Sequence, residues 1–334
     1  MSAPALSVVV IGRNEGARLE RCLRSIAQAA RPGEVDVIYV DSASVDGSPA
    51  RAASMGAKVI VVQPSRPTAA LGRNAGWRAA SAEFVLFLDG DTILDPRFVM
   101  EALRHFDEKT AIVWGHRREI DTGRSIYNRT LDLDWIYPPG ITEFCGGDAL
   151  MRRAVLQQVN GFDETLIAGE EPEMCRRIRS LGWQIRHIDV PMTGHDLAMT
   201  KWSQYWKRAT RAGYAYAEVS RRFHGSGLPF WEEDARRNRN RALILIGLCL
   251  VGLTGFWQLL VVVGLLTALV LRTASKTRWK SPSFFTRLLY GIHSHLQQIP
   301  IFIGQLQFWN DRREGRVREL IEYKGAVEHK GAAQ

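Results

Sequence analysis

Two carboxylates close a short apolar stretch in the first third of the chain. Residues 84–88 are all apolar and predict a buried strand, which ends at Asp89-Gly90-Asp91. Ligands of open α/β sheets collect beyond the carboxyl ends of strands, and Gly90 lets the backbone turn both acids toward one point. Paired oxygen ligands with open positions are typical of Mg²⁺ or Mn²⁺ carrying a phosphorylated substrate. Alternatively, Asp91 or Thr92 only caps a following helix.

Two further polar residues stand where a ligand could reach them. Asp41 closes a second predicted strand, residues 35–40, and could accept from a base N–H or a ribose hydroxyl. Arg73 lies in a predicted helix and could offer a charged fork to phosphate. Each has an ordinary alternative, because Asp41 could stabilise its own turn and Arg73 could be a solvated helix charge.

The elements that carry these residues alternate between strands and helices. Apolar runs predict strands at residues 6–11, 35–40, 58–62 and 84–88, with helical periodicity between them and after residue 98. This order indicates a parallel sheet wound with right-handed crossovers. The glycine patterns of dinucleotide folds and of P-loop NTPases are missing after the first strand.

Composition narrows the class of protein. The 334 residues allow one large domain with additions, or two domains, and the net charge of +9 favours an anionic partner. The run at residues 6–11 has no basic residue before it and predicts a first strand rather than a signal peptide. Four widely spaced cysteines argue against a disulfide framework or a zinc site and fit a reducing compartment: Cys22, Cys145, Cys175 and Cys249.

Six motifs in order resemble the family 2 glycosyltransferases with the GT-A fold. They are Val-Val-Val-Ile-Gly-Arg-Asn-Glu at 8–15, Val-Asp-Ser-Ala-Ser-Val-Asp-Gly-Ser at 40–48, Arg-Asn-Ala-Gly at 73–76, Asp-Gly-Asp at 89–91, Gly-Gly-Asp-Ala-Leu-Met-Arg-Arg at 146–153 and Gly-Glu-Glu-Pro-Glu at 169–173. The match spans residues 6–196. It implies an α/β, Rossmann-like nucleotide-diphospho-sugar transferase domain over residues 1–200, followed by a C-terminal helical, membrane-associated region.

The resemblance places the nucleotide-sugar donor. The backbone after the first strand (Ile11, Arg13, Glu15) and Asp41 would hold the base, and Arg73 would reach the base or the diphosphate. Asp89 would face the ribose, and Asp91 would ligate a Mg²⁺ or Mn²⁺ ion that neutralises the departing diphosphate. His195 often returns to the metal in such enzymes, although an isolated histidine is more often a plain core or surface residue. It follows a predicted strand, residues 184–190, and a turn with Pro191 and Gly194.

The resemblance also places the chemistry. An acidic pair in relatives supplies the base that deprotonates the acceptor hydroxyl during an inverting attack, and here Glu171 is the first choice and Glu170 the reserve. The usual Glu-Asp is Glu-Glu in this chain, and the same acids could simply favour the start of a helix that runs from Pro172 through Leu181. Gly146, Gly147 and Asp148 would form the floor under the transferred sugar and the acceptor, or Asp148 could stabilise its turn.

The composition changes after residue 200. Residues 201–241 predict a basic amphipathic connector in which Trp202 and Tyr205 share a face near Arg208 and Arg211, suited to a membrane interface or to packing on the domain. Processive relatives carry Gln-x-x-Arg-Trp in this region. Residues 204–208 read Gln-Tyr-Trp-Lys-Arg instead, which favours a single addition.

Residues 242–271 contain no charge, as a membrane segment requires. One straight helix of that length would measure roughly 45 Å against about 30 Å of hydrocarbon, and both flanks are basic. The positive-inside rule therefore favours a hairpin near Thr254-Gly255, with a single tilted span as the alternative. Residues 272–334 predict an interfacial helix over residues 285–299, ending at Pro300, and a tail whose residues 320–324 also resemble bacterial cell-surface polysaccharide enzymes.

These features predict a membrane-anchored inverting glycosyltransferase at the bacterial inner membrane, with a cytoplasmic catalytic domain. Its acceptor would be a lipid-linked or other glycan in envelope or exopolysaccharide synthesis, or alternatively a polyprenyl phosphate. A sugar nucleotidyltransferase is less consistent with Gly-Arg-Asn-Glu at 12–15, and a non-enzymatic scaffold is less consistent with the retained acids. Nucleic-acid binding is disfavoured because the basic residues lie beside apolar helices.

Overall fold

A mixed nine-stranded sheet lies at the centre of the computed structural model, which describes residues 6–29, 35–63, 66–316 and 318. The strands are β1 (Leu6–Gly12), β2 (Val35–Asp41), β3 (Lys58–Val61), β4 (Phe84–Asp89), β5 (Thr92–Leu94), β6 (Thr110–Glu119), β7 (Gly140–Thr142), β8 (Ala149–Arg152) and β9 (Gln184–His195). The sheet order is β3-β2-β1-β4-β8-β6-β9-β5, and β7 pairs with β9.

Helices flank the sheet and form the C-terminal part of the chain. They are α1 (Ala17–Ala29), α2 (Ser48–Ser54), α3 (Ala69–Ala79), α4 (Phe98–Leu103), α5 (Ile126–Leu131), α6 (Arg153–Gln158), α7 (Glu170–Ser180), α8 (Trp202–Phe223), α9 (Glu232–Gly252), α10 (Phe256–Lys276), α11 (Phe284–Leu296) and α12 (Gln298–Arg313). A 3₁₀ turn, Asp132–Trp135, follows α5.

The first four long strands are parallel, as the alternation of strands and helices predicts. Their apolar side chains are buried on both faces because helices cover the sheet, and Val8, Val9 and Val10 are almost fully buried. Helix α3 lies directly on β1, since a Cβ atom at Gly76 would stand 2.2 Å from a methyl carbon of Val9. The close approach fixes α3, and with it Arg73, against the sheet.

The fully parallel sheet expected from the sequence is wrong beyond β4. Strand β8 pairs antiparallel with both β4 and β6. Residues 146–148 already lie at the carboxyl end of β4, so the chain must run back from there. The reversal brings this loop to the same edge of the sheet as Asp89.

The predicted strand at 184–190 is also longer than expected. Strand β9 continues through Pro191 to His195, and irregular register opposite His116 accommodates the proline, which has no N–H to donate. The predicted turn at Pro191 and Gly194 is therefore wrong. The extension pairs His195 with Thr92 of β5 and places the histidine beside Asp91.

Helix α8 packs on the protein rather than lying free at an interface. Tyr205, Ala209 and Tyr214 are buried, while Trp202 remains exposed. Two glycines let α8 and α12 cross at backbone contact: a Cβ at Gly213 would stand 1.9 Å from the carbonyl oxygen of Ile301. Gly304 meets Thr210 in the same way. Of the two interpretations of residues 201–211, packing on the domain is the one observed.

The uncharged run is divided between two helices. Helix α9 ends at Gly252 and α10 begins at Phe256. The helix is therefore interrupted at residues 253–255, where the sequence predicts the turn of a hairpin, near Thr254-Gly255. Gly252 faces Leu259 and Val262 of α10, which shows that the two helices turn back on each other. We call residues 242–271 the apolar hairpin. Within the described residues, α10 alone is long and apolar enough to cross a membrane, and 6% of its most apolar window is buried.

The chain after the apolar hairpin returns to the sheet domain. The Nζ atom of Lys280 donates to the carbonyl oxygen of Leu133 at 2.7 Å, and Nε2 of His293 lies 3.3 Å from a carboxylate oxygen of Asp134. The helix predicted at 285–299 is α11, which ends at Leu296. Pro300, expected to end it, lies instead in the first turn of α12, where its missing N–H is tolerated. The predicted tail motif at 320–324 lies outside the described residues.

Candidate active site

A cavity of about 540 Å³ opens at the carboxyl edge of the sheet, beneath α7 and α8. We call it the strand-end cavity. Its lining includes eight of the residues proposed from the sequence, which come from α3, β4, the loop before β8, α7 and β9: Arg73, Asp89, Gly146, Gly147, Asp148, Glu170, Glu171 and His195. Separate segments of the chain therefore converge on one space.

Arg73 is the centre of this cluster. Its Nη1 atom donates to Glu170 at 2.9 Å and lies 3.0 Å from Glu171, and Nη2 donates to Asp89 at 3.0 Å. The guanidinium is 3% exposed, so these contacts are screened little by solvent. The sequence predicts that Arg73 reaches toward the nucleotide, but in this structure its fork is occupied by three carboxylates.

Glu171 is the more accessible of the two candidate bases, since its side chain is 16% exposed and that of Glu170 is 5% exposed. Burial and the neighbouring Glu170 carboxylate raise the pKa of Glu171 to about 7, although Arg73 opposes the shift. A carboxyl group that titrates near neutrality suits a general base. Both acids lie in the first turn of α7, which agrees with the expectation that acids begin a helix here.

Arg117 of β6 is a second buried cation that sequence reasoning missed. One of its nitrogens lies 3.3 Å from Asp89 and the other 3.3 Å from Asp148, while its guanidinium stacks 5.2 Å above the Trp135 ring. The only signal in the sequence is a basic residue directly after the buried stretch of a strand. Four carboxyl groups (Asp89, Asp148, Glu170, Glu171) therefore contact two guanidinium groups.

The floor of the cavity requires a glycine at one position. A Cβ atom at Gly147 would stand 2.5 Å from Nη2 of Arg73, 3.2 Å from Glu171 and 3.3 Å from Asp89. At Gly146, by contrast, a Cβ would meet nothing within 4 Å. Only the second glycine of the pair thus makes room for the charged cluster.

Asp148 is fully buried, and its oxygens are engaged within the protein. It accepts from the backbone N–H of Asp89 at 3.0 Å and from the hydroxyl of Thr193 at 2.7 Å. Burial raises the pKa of Asp148, while Arg117 opposes the shift. These bonds hold the end of β4 against β9, which agrees with the alternative that Asp148 stabilises its turn.

Asp91 and His195 form a separate buried pair. A carboxylate oxygen of Asp91 lies 3.5 Å from Nε2 of His195. Burial and nearby Arg117 hold the pKa of His195 well below the usual imidazole value, so the ring is neutral, as a metal ligand must be. Neighbouring ligands of an octahedral cation lie roughly 3 Å apart, which two such donors can approach with a small adjustment.

This donor pair fits a divalent cation only in part. Within the described residues, no group of three or more His, Cys, Asp and Glu side chains could hold a metal ion. Mg²⁺ and Mn²⁺ commonly take one or two protein ligands and complete their shell with water and substrate phosphates. In the structure Asp89 contacts Arg73 and Arg117, and Asp91 contacts His195.

The residues proposed for the base of the nucleotide lie on the neighbouring strand ends, outside the lining of the strand-end cavity. Ile11 pairs with Asp89 across β1 and β4, and Gly12 pairs with Asp41 across β1 and β2. Asp41 is fully buried and accepts from the Tyr39 hydroxyl at 2.8 Å and from the Ser44 N–H at 2.7 Å. Its carboxylate thus stabilises the turn and does not join Asp91 and Glu171.

The loops after β1 and β2 are bonded to each other beside this edge. The Asn14 N–H donates to the Ser44 hydroxyl at 2.8 Å, and the Gly16 N–H donates to Asp46 at 2.9 Å. Asn14 has a φ of 56°, in the left-handed region that asparagine tolerates. Arg13 and Glu15 belong to this loop, so the two loops form one rim next to Asp89.

Two cysteines that are distant in sequence meet at the cavity wall. The sulfur atoms of Cys145 and Cys175 are 3.7 Å apart, and both thiols are free and buried. All four cysteines are free thiols in the described residues, and the sequence did not predict the contact between Cys145 and Cys175. It packs the loop before Gly146 against α7.

Comparison with known proteins agrees with this geometry. Residues 7–159 match the profile of glycosyl transferase family 2, and residues 84–293, more than half of the chain, match that of glycosyl transferase family group 2. A pre-mycofactocin glycosyltransferase of Mycobacterium tuberculosis is 27% identical over 209 residues, which are 57% of this chain and 42% of the relative. The chain thus spans less than half the length of that curated relative.

The fold is similar to a solved structure over nearly its whole length. A mannosyltransferase from Pyrobaculum calidifontis superposes with a TM-score of 0.58 at 20% identity, covering 93% of this chain and 89% of the other. The GT-A fold expected from the sequence is therefore confirmed. The profile matches also confirm the predicted family: the chain belongs to glycosyltransferase family 2.

Proposed function

We propose that this protein transfers a sugar from a nucleoside-diphosphate sugar to an acceptor hydroxyl, with inversion at the anomeric carbon. The main support for the proposal is that Arg73 forms ion pairs with Glu170, Glu171 and Asp89 within one cavity. Arg73 thereby connects Asp89, which is expected to meet the donor's ribose, with Glu170 and Glu171, which are expected to activate the acceptor. Donor and acceptor would then meet over the Gly147 floor.

Glu171 is the base in this proposal. The acceptor oxygen attacks the anomeric carbon as its proton passes to the Glu171 carboxylate, and the bond from that carbon to the diphosphate oxygen breaks. The electron pair leaves with the nucleoside diphosphate. A pKa of about 7 for Glu171 supports this assignment, because half of the free enzyme is then ready to accept a proton at neutral pH. Glu170, which is more buried, would tune and position its neighbour.

Asp91 and His195 would hold a divalent cation, Mg²⁺ or Mn²⁺. Such an ion would neutralise the charge that builds on the departing diphosphate. The Pyrobaculum mannosyltransferase with the similar fold is described in complex with GDP-mannose and Mn²⁺. The rim of Ile11, Arg13 and Glu15, next to the turn that Asp41 stabilises, would receive the nucleoside.

The apolar hairpin would anchor the enzyme in the bacterial inner membrane, with the catalytic domain in the cytoplasm. Its α9 limb has eleven uncharged residues and its α10 limb sixteen, or roughly 16 and 24 Å of helix, against about 30 Å of hydrocarbon. A hairpin of that depth enters and leaves on one face, which agrees with basic residues at both flanks. Placement there favours a lipid-linked acceptor in envelope or exopolysaccharide synthesis.

A two-stage experiment tests this function. The full chain in neutral detergent is first screened for thermal stabilisation by nucleoside diphosphates with and without Mn²⁺. Labelled sugar nucleotides carrying the stabilising base are then incubated with a bacterial lipid extract, and radioactivity in the organic phase is measured. We expect transfer by the native chain and a loss of at least about a hundredfold in Glu171→Gln. Unchanged activity in Glu171→Gln, or no stabilising nucleotide, would contradict the proposal.

A further inference from the structure

A second cavity, of about 560 Å³, lies between the strand-end cavity and the base of the apolar hairpin. We call it the basic cavity. It is enclosed by the turn after α5, by α8 and α9, and by the segments that begin and follow α11. Its charged lining contains four basic and two acidic residues: Arg208, Arg237, Arg241, Lys280, Asp134 and Asp234. The excess of positive charge suits an anion.

The cations of the basic cavity differ in how far they are engaged. Arg208 is 3.8 Å from Asp134, and Arg237 is 3.4 Å from Asp234, both longer than a direct hydrogen bond. Arg241 has no hydrogen bond or ion pair to any residue that the structure describes. Lys280 donates to the Leu133 carbonyl at 2.7 Å and to the Tyr290 hydroxyl at 3.5 Å, which leaves one of its three N–H donors for a ligand. Three guanidinium groups, those of Arg208, Arg237 and Arg241, and the ammonium group of Lys280 thus line a space suited to phosphate oxygens.

The basic cavity adjoins the proposed catalytic space. Five residues line both cavities, and they include Trp135, Tyr137 and Arg208. Glu171 and Asp89 line only the strand-end cavity, whereas Arg241 and Lys280 line only the basic one. A ligand that fills both would therefore have its anionic part separated from the base by this shared wall.

The basic cavity is also level with the edge of the membrane segment. Arg241 is the last charged residue before the apolar hairpin, and Trp279-Lys280 follows α10 directly. Basic and aromatic side chains at such positions mark the depth of lipid head groups. The outer side chains of α10, among them Leu265 and Leu271, are exposed and offer an apolar track beside the cavity.

We propose that the basic cavity binds the phosphate or diphosphate head group of a lipid-linked acceptor, whose hydrocarbon chain lies along the apolar hairpin. The part of the acceptor beyond the head group passes Trp135 into the strand-end cavity. This inference rests on the proposed glycosyl transfer and names its acceptor class. It also selects a sugar hydroxyl of a lipid-linked glycan over a bare lipid phosphate as the nucleophile. An anionic phosphate oxygen needs no general base, and the cations that would hold it stand apart from Glu171.

Binding of a polyisoprenyl diphosphate to the full chain in neutral detergent tests the inference. Thermal stabilisation is titrated with this lipid, with the uncharged polyisoprenol of equal length and with inorganic diphosphate. We expect the lipid diphosphate to stabilise the protein at concentrations at least about tenfold below the other two. The double variant Arg241→Gln/Lys280→Gln should raise its half-saturating concentration at least about tenfold. Arg241→Gln alone, which removes no hydrogen bond or ion pair among the described residues, should raise it severalfold.

The matched control is Arg272→Gln/Arg278→Gln. It removes two exposed positive charges from the same flank of the apolar hairpin without touching the basic cavity, and it should bind like the native chain. An equal loss in this control would reduce the effect to general attraction for anionic lipid and overturn the inference. Equal stabilisation by inorganic diphosphate, or none by the lipid, would also overturn it. Stabilisation by nucleoside diphosphate with Mn²⁺ in the same samples reports separately on the proposed transfer reaction.

Discussion

Nη1 of Arg73 lies 3.0 Å from Oε1 of Glu171, and this contact limits the rise in the pKa of the proposed base. Burial and Glu170 favour the protonated carboxyl, while the guanidinium favours the carboxylate. Because Arg73 is fixed by α3 and Glu171 by the first turn of α7, the balance depends on the packing of two helices that are almost a hundred residues apart in the chain.

Removing Arg73 should destabilise the protein strongly. Arg73→Ala leaves three carboxylates close together without their cation, and we expect a loss of about 3–5 kcal/mol in the free energy of unfolding, measured in urea. Arg78→Ala is the matched control on the same helix, because Arg78 is exposed, pairs with the partly exposed Glu164 and lies over the Trp77 ring. It should cost less than about 1 kcal/mol. Equal losses in the two variants would refute the central role of Arg73.

The pH profile should report on Glu171. Activity that requires the Glu171 carboxylate should fall as the pH drops below about 7, and kcat/KM measures this for the free enzyme. Since the folded-state pKa lies above the ordinary value of 4.5, the folded protein binds more protons between these values, and stability should decrease as pH rises through that window. Glu171→Gln should weaken this dependence. An unchanged acidic limb in the residual activity of the variant would assign it to another group.

The two adjacent glycines should respond differently to the same methyl group. Gly147→Ala forces the Arg73 guanidinium away and should cost about 1–3 kcal/mol of stability, together with most of the activity. Gly146→Ala meets open space and should stay within about 0.5 kcal/mol of the native chain. Thermal unfolding and initial rates on both variants check this, and similar behaviour of the two would argue against the crowded floor.

Removal of the proposed metal donors should change the cation requirement for nucleotide binding. Asp91→Asn and His195→Ala should each raise the Mn²⁺ concentration needed for stabilisation by nucleoside diphosphate about 10–100-fold. EDTA should abolish that stabilisation in the native chain. Asp189→Asn serves as the control, because its side chain is 80% exposed and pairs with His116, away from Asp91 and His195. Nucleotide binding that ignores both EDTA and Asp91→Asn would exclude this pair as the metal site.

A charge inside the apolar hairpin should weaken membrane binding without unfolding the catalytic domain. Val261 of α10 is 63% exposed, so Val261→Arg breaks little packing but places a charge in hydrocarbon, which costs about 2.5–3.5 kcal/mol. We expect the liposome partition constant to fall at least about tenfold. Ile141→Arg, on exposed β7, should leave it unchanged. Equal partitioning of the two variants would place the membrane contact elsewhere.

Much of the catalytic framework is predictable from the sequence, because apolar period and strand-end acids are local properties. Strands β1, β2 and β4, the helix that carries Arg73 and the helix that begins at Glu170 follow from the pattern to within a few residues. The partners of each acid do not follow. Arg117 of β6 contacts Asp89 of β4 in a sheet where β8 lies between these two strands. No local sequence pattern predicts that strand order.

Other differences arise where one pattern serves two structures. An aspartate after a strand looks the same whether it binds a nucleotide or holds Ser44 and Tyr39, as Asp41 does. An amphipathic face such as that of residues 201–211 can pack on a protein or lie at a membrane surface. Packing is observed here because Gly213 and Gly304, further along the chain, allow close contact between α8 and α12. Non-local contacts decide such cases.

The hydrogen bond from Lys280 to the Leu133 carbonyl has a practical consequence for the design of truncated forms of this enzyme. A fragment that ends near residue 200 would keep every strand of the sheet and would lack the hydrophobic helices that hinder purification. It would also release the backbone two residues before Trp135, whose ring supports Arg117 and His195. Such a fragment should retain donor binding better than acceptor binding. Acceptor selectivity is therefore best measured on the full chain.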